Sequence, residues 1–270
     1  MSSTDKVFAG SIPKLYDEYL VPMIFSVYAE DIARRVAARA PSTLLEIAAG
    51  TGAVTRAVAA ALPRGVRYVA TDLNEPMLAV AAQRQAGDDR ISWRQADAMA
   101  LPFGDAEFDV ACCQFGAMFF PDRVKAYEEV KRVLKGDGTF VFNVWDRIED
   151  NVLSQEATAA LGKMFPDDPP RFMIRTPHGY HDKAVISADL ERAGFRDIAI
   201  ETRSEISRAP SAEYIAIALC QGTPLRNEIE ARDASKLQAA TEVVAEALRT
   251  RHGAGAVEGK IQAIVIEARP

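Results

Sequence analysis

The stretch LLEIAAGTGAVT at residues 44–55 constrains this chain more than any other: an apolar run meets a turn holding Gly50 and Gly52, then passes directly into an alanine-rich segment. Glycine at such a turn permits a positive φ and lets a ligand approach the backbone closely. A strand, a glycine turn and a helix in that order open a ligand-binding α/β unit, although the pattern alone also describes a plain tight turn. Its surroundings give it weight. From residue 43 onward, short apolar runs alternate with amphipathic stretches, the arrangement of a parallel sheet covered by helices on both faces.

Strands are predicted at residues 43–48, 67–71, 91–95, 108–114 and 139–145, with helices at about 52–62, 74–85 and 122–134. Pro63 and Gly65 stop the first helix, and Pro76 is tolerated in the first turn of the second because that turn has no partner for the missing N–H. The GDG at 136–138 reads as a turn into the fifth strand. Residues 165–182, FPDDPPRFMIRTPHGYHD, show neither a helical nor a strand period and read as a loop or cap. A helix at 186–193 ending at Gly194, a strand at 195–205, a mostly helical stretch at 211–251 and a last strand at 261–268 follow. The expected fold is α/β: a Rossmann-like, doubly wound, mostly parallel seven-stranded sheet with helices on both faces and an added helical and loop cap.

Further polar residues fall at the ends of consecutive predicted strands. Asp72 lies 20 residues beyond Gly52, where a carboxylate accepts hydrogen bonds from a ribose diol. Asp97 follows the third strand, and Gln114 with Phe115 ends the fourth. These are the carboxyl ends of the strands, the edge at which open α/β sheets bind ligands.

With these motifs, the segment from Leu44 to Asp146 resembles the class I S-adenosylmethionine (SAM)-dependent methyltransferases, in particular the subgroup similar to ubiquinone and menaquinone C-methyltransferases. The resemblance implies that the turn of Ala48, Gly50, Thr51 and Gly52 holds the methionine part of SAM, with Glu46 acting on the ammonium group or the neighbouring backbone. It implies that Asp72 takes the ribose hydroxyls and that Leu73 and Met77 bracket the adenine. Asp97 and the backbone of Ala98 pair with that ring, while Gln114 and Phe115 lie beneath the sulfonium. Ala48 departs from the family's usual glycine. The implied reaction is methyl transfer to carbon, oxygen or nitrogen of a small-molecule acceptor, with S-adenosylhomocysteine (SAH) as product. On this reading residues 1–42 form an N-terminal helical cap, 43–146 the SAM-binding core, 147–185 a cap or substrate insertion, and 186–270 complete the sheet with additional helices.

Two other readings stay open. A SAM-fold protein can bind the cofactor without transferring a methyl group. A nicotinamide dinucleotide oxidoreductase shares the glycine turn and later acid, but its pyrophosphate wants a third small residue where this chain has Thr55, and it has no use for Asp97 or Gln114.

An acceptor with an acidic proton needs a general base. His178, Tyr180 and His181 in PHGYHD are the candidates, with structural histidines as the plainer reading and no metal expected. In SIPKLYDEYLVPMIF, before the first strand, Tyr16 and Tyr19 are candidate contacts to SAM or acceptor. The net charge of -6 argues against a broad phosphate-binding surface and hence against nucleic acid, and Arg34, Arg35 and Arg39 read as the solvated face of a helix. Cys112, Cys113 and Cys220 lack zinc or redox spacing. Neither a secretory signal nor an apolar run of about 20 residues is visible, so a cytoplasmic location follows by elimination. Residues 211–251 can serve as cap or as the surface of a homodimer.

Overall fold

The computed structural model describes residues 3–270, so Met1 and Ser2 of the expected N-terminal cap lie outside it. Seven strands form one sheet: β1 (Thr43–Ile47), β2 (Arg67–Asp72), β3 (Ile91–Gln95), β4 (Phe108–Gln114), β5 (Leu134–Trp145), β6 (Arg196–Ala209) and β7 (Val257–Arg269). Their order is β3-β2-β1-β4-β5-β7-β6. β1 to β5 run parallel, and β7 runs antiparallel to both β5 and β6. The chain moves outward from β1 to β3, then returns to place β4 on the other side of β1. That reversal opens a crevice at the carboxyl ends of β1 and β4.

Strand alternation sorts side chains into two cores. Leu44, Val110, Cys112 and Val141 pack on one face with Ile32, Val36, Val54 and Val58, while Leu45, Ala111, Cys113, Phe140 and Phe142 pack on the other. The neighbouring Cys112 and Cys113 therefore point through opposite faces of the sheet. Burial pushes the Cys113 thiol up to about 12 and Cys112 well above its usual range, so both stay protonated and unreactive.

Several boundaries differ from the sequence reading. β5 starts at Leu134, because the GDG bends within the strand: a side chain on Gly138 would come within 2.9 Å of the Lys135 carbonyl. The irregular 165–182 segment holds a short helix, Phe172–Arg175. The next helix begins at Lys183, capped by the Asp182 side chain. The C-terminal helical stretch breaks into Ala212–Gln221, Leu225–Arg232 and Leu237–His252, and both β6 and β7 run longer than expected.

The N-terminal region is helical in pieces: Ile12–Leu15, a wider π-helical run Tyr16–Phe25 containing Pro22, and Ser26–Ala38. Arg35 and Arg39 are not simply solvated. Arg35 joins Asp31 of its own helix to Glu201 on β6 and Glu267 on β7, Arg39 also meets Glu267, and Arg203 returns to Asp31. This network ties the helix to the antiparallel edge of the sheet, whereas the Arg34 side chain is 66% exposed. Among the described residues, no helix is long and apolar enough to cross a membrane.

Candidate functional site

A cavity opens at the crevice, walled by Ile47, Ala48 and Gly50 at the end of β1, Asp72 to Asn74 and Met77 at the end of β2, Ala96 to Met99 after β3, and Gln114 to Gly116 at the end of β4. Lys6, Phe8 and Tyr16 from the N-terminal region cover it.

Asp72 organises the floor. Its Oδ2 accepts from the Gly50 N–H at 2.8 Å and its Oδ1 from the Asn74 N–H at 2.7 Å. One carboxylate thus ties the turn after β1 to the start of the helix Glu75–Arg84, and its remaining lone pairs are available to a ligand. Burial raises its pKa, against the lowering effect of those backbone donors. Asp97 uses Oδ1 to accept from the Met99 N–H at 2.9 Å. Met77 is buried, while Leu73 is 42% exposed at the rim.

Backbone strain gathers here. Ala48 at φ 55° and Phe115 at φ 51° both occupy the left-handed region, which costs an L-residue roughly 1–2 kcal/mol. Phe115 is held there by Asn143, whose carbonyl and side-chain Oδ1 both accept from the Phe115 N–H. Its ring stacks on Trp145 with centroids 3.9 Å apart. The buried Gln114 Oε1 has no hydrogen-bond partner among the described residues, while its Nε2 donates to the Phe25 carbonyl at 3.3 Å.

A second cavity lies beside the first and shares Phe8, Tyr16, Phe115 and Phe119 with it. Phe172, Met173 and Pro177 from the segment after β5 close one side, and Leu219, Thr223 and Pro224 another.

Three members of the glycine-turn motif do not line either cavity. Thr51 is buried behind the turn, and Gly52, at φ 82°, starts the helix Ala53–Ala61. Glu46 points through the opposite face from Ile47, as strand alternation requires, and its Oε2 accepts from Thr55 Oγ1 at 2.6 Å and from the Tyr68 hydroxyl. Burial pushes the Glu46 carboxyl up to about 7 despite those two donors.

The structure also keeps His178, Tyr180 and His181 out of both cavities. The buried His178 donates from Nδ1 to the Asp146 carbonyl at 2.8 Å, and His181 Nδ1 to the His178 carbonyl at 2.8 Å. Tyr180 donates to Asp189 at 3.0 Å and lies beneath Arg123. All three bind the segment after β5 together. Among the described residues, no group of three or more His, Cys, Asp or Glu side chains is placed to hold a metal ion.

Burial lowers the His178 pKa from 6.5 to about 4. As pH falls between these values, the unfolded chain takes up a proton that the folded protein refuses, so this histidine makes acid destabilising. Glu46 acts in the opposite sense, losing stability as pH rises from 4.5 to about 7. His178→Gln is therefore expected to gain stability relative to the unmodified protein as pH drops from 6.5 toward 4. Thermal melts across that range check it; parallel profiles would contradict the assignment.

Sequence reading missed Lys6, Phe8, Phe119 and Trp145 as cavity walls. The aromatic run in GAMFFP and the tryptophan at the end of β5 were the available signals, but neither carries a fixed spacing to the glycine turn.

Comparison with known proteins agrees with this geometry. Residues 45–142 match the family model described as a methyltransferase domain. Over these residues the chain is similar to methyltransferase domains. A demethylmenaquinone methyltransferase of Clavibacter sepedonicus is 43% identical to it over 108 residues, 40% of this chain and 43% of that protein. The ubiquinone/menaquinone biosynthesis C-methyltransferase UbiE of Brucella anthropi is 30% identical over 168 residues, 58% of this chain and 64% of the relative. The similarity thus spans less than two thirds of either relative. The chain shares its fold with the YcgJ protein of Bacillus subtilis, at a TM-score of 0.56 and 22% identity over 90% of this chain and 98% of that one. The [4+2]-cyclase SpnF shares it too, at 0.54 and 20% identity over 89% and 81%. A cyclase on this fold means that the reaction must be argued from the site.

Proposed function

We propose that the protein is a SAM-dependent methyltransferase acting on a small-molecule acceptor. The observation that carries this reading is Asp72: a carboxylate at the end of β2 that binds the Gly50 turn, faces a cavity and retains acceptor capacity. The donor set suits SAM. Asp72 would take the ribose diol, Leu73 and Met77 the faces of the adenine, and Asp97 with the Ala98 backbone its polar edge. Gly50 would let the methionine part approach the backbone, with the unpartnered Gln114 Oε1 as an acceptor for its ammonium group. Lys6 is the only cationic side chain lining this cavity among the described residues, and it would meet the methionine carboxylate.

When bound, SAM supplies a methyl group already activated on a sulfonium. The residues here orient and exclude water; an in-line geometry alone is worth about 7–11 kcal/mol of barrier. Tyr16 is not a base, because burial and then the nearby Asp72 and Asp17 charges hold its phenol protonated.

Titration calorimetry with SAM, SAH and NAD tests the reading. Micromolar binding of the first two and none of NAD is expected; binding of NAD alone would overturn it. Lys6→Met should weaken SAH by about tenfold yet leave 5′-methylthioadenosine, which lacks the carboxylate, unchanged. Equal losses for both ligands would remove Lys6 from the assignment.

A further inference from the structure

We infer that the second cavity is the acceptor site, and that it takes an uncharged, ring-sized apolar molecule rather than a phosphorylated, carboxylated or zwitterionic one. This rests on the reading of the first cavity as the SAM site.

The position argues for it. The two cavities share Phe8, Tyr16, Phe115 and Phe119, so a molecule in the second lies against Phe115, the residue that follows β4 and also walls the first cavity. The chemistry of the lining sets the class. Among the described residues, no charged side chain lines the second cavity, and its side-chain polar groups are the Tyr16 and Thr223 hydroxyls and the Trp145 indole. An unpaired charge moved into such surroundings loses its hydration and gains no partner. Thr223 Oγ1 is already engaged, donating to the Leu219 carbonyl at 2.7 Å and accepting from the Leu225 N–H. This leaves the Tyr16 hydroxyl, for which the described residues provide no hydrogen bond, to orient a hydroxyl or carbonyl on the acceptor.

The walls narrow the class further: Phe25, Phe115, Trp145 and Phe172 present aromatic rings to the cavity, against which a planar ring packs. The enclosing segments are tied to one another: Arg175 pairs with Asp5 and Glu228, the Thr176 hydroxyl donates to Asp5, and Arg226 donates to Ser11. The N-terminal region, the segment after β5 and the C-terminal helices thus close as one lid, which disfavours a long chain trailing outward.

Trp145 lines this cavity, so its fluorescence reports occupancy. With SAH-saturated protein, 2-naphthol, neutral at pH 7, should bind at least tenfold more tightly than 2-naphthoate. Ile24→Trp, which fills the cavity from a partly exposed position, should abolish naphthol binding measured by calorimetry while leaving SAH affinity within threefold. Met173→Lys supplies the missing charge and should shift preference toward naphthoate. Equal or tighter naphthoate binding to the unmodified protein, no naphthol binding, or naphthol affinity unchanged in Ile24→Trp would each overturn the assignment. Failure of SAH itself to bind would strike the cofactor reading instead, before any acceptor is added.

Discussion

Asp72→Ala should weaken SAM and SAH by about 1–3 kcal/mol, or about 5- to 150-fold in affinity, the largest effect on cofactor binding expected of any single substitution here. Two losses combine. The ribose diol loses its acceptor, and the Gly50 and Asn74 N–H groups lose the carboxylate that holds their turn in place. They separate by ligand choice: the unmodified protein should prefer adenosine over 2′-deoxyadenosine, and the variant should bind the two equally. Retained discrimination in a folded Asp72→Ala protein would place the diol elsewhere. The melting temperature should also fall, since a buried N–H without a partner is costly.

Gly116→Ala should destabilise the fold by about 1–3 kcal/mol, although the residue has an ordinary backbone angle. A Cβ at this position would stand 2.5 Å from the Ala48 Cβ and 2.6 Å from Cys113 Sγ, neither of which has a flexible end to move away. The Ala48 methyl thus projects into the space that Gly116, lacking a side chain, leaves empty. Ala48→Gly should be neutral to stabilising by about 1 kcal/mol, because it relieves a left-handed alanine while adding freedom to the unfolded chain. The double variant should recover part of the Gly116→Ala loss, and only part, since the Cys113 contact remains. Urea melts of the four proteins measure the coupling, and strictly additive effects would show that residues 48 and 116 do not share this space.

Much of this site could be read from the chain because it is locally encoded. Gly50, Asp72, Asp97, Gln114 and Phe115 each lie zero to three residues beyond the last residue of a strand, and parallel strands bring such positions to a common edge whatever packs around them. Periodicity also located seven strands: β1, β2 and β4 as short apolar runs, and β6 as a long alternating stretch whose full extent is set by its pairing with β7. Glu46 shows where a motif and the packing around it point different ways. The family pattern drew it into the cofactor site, yet alternation along β1 already directs it away from Ile47 and under the helix Ala53–Ala61, where Thr55 and Tyr68 meet it.

Long-range closure was not written in any window of sequence. Lys6, Phe8 and Trp145 reach the cavities from segments separated by more than a hundred residues, and their placement depends on ion pairs such as Asp5–Arg175 and Arg35–Glu267. The histidines of PHGYHD look catalytic by composition, but packing turned them inward to the backbone carbonyls of Asp146 and His178. The sequence by itself determined the sheet, its ligand-binding edge and the acids that end its strands, because these follow from periodicity and local turn chemistry. Only the tertiary structure decided which side chains roof that edge and that an apolar second cavity stands beside it, because both arise from contacts between segments whose spacing along the chain carries no period.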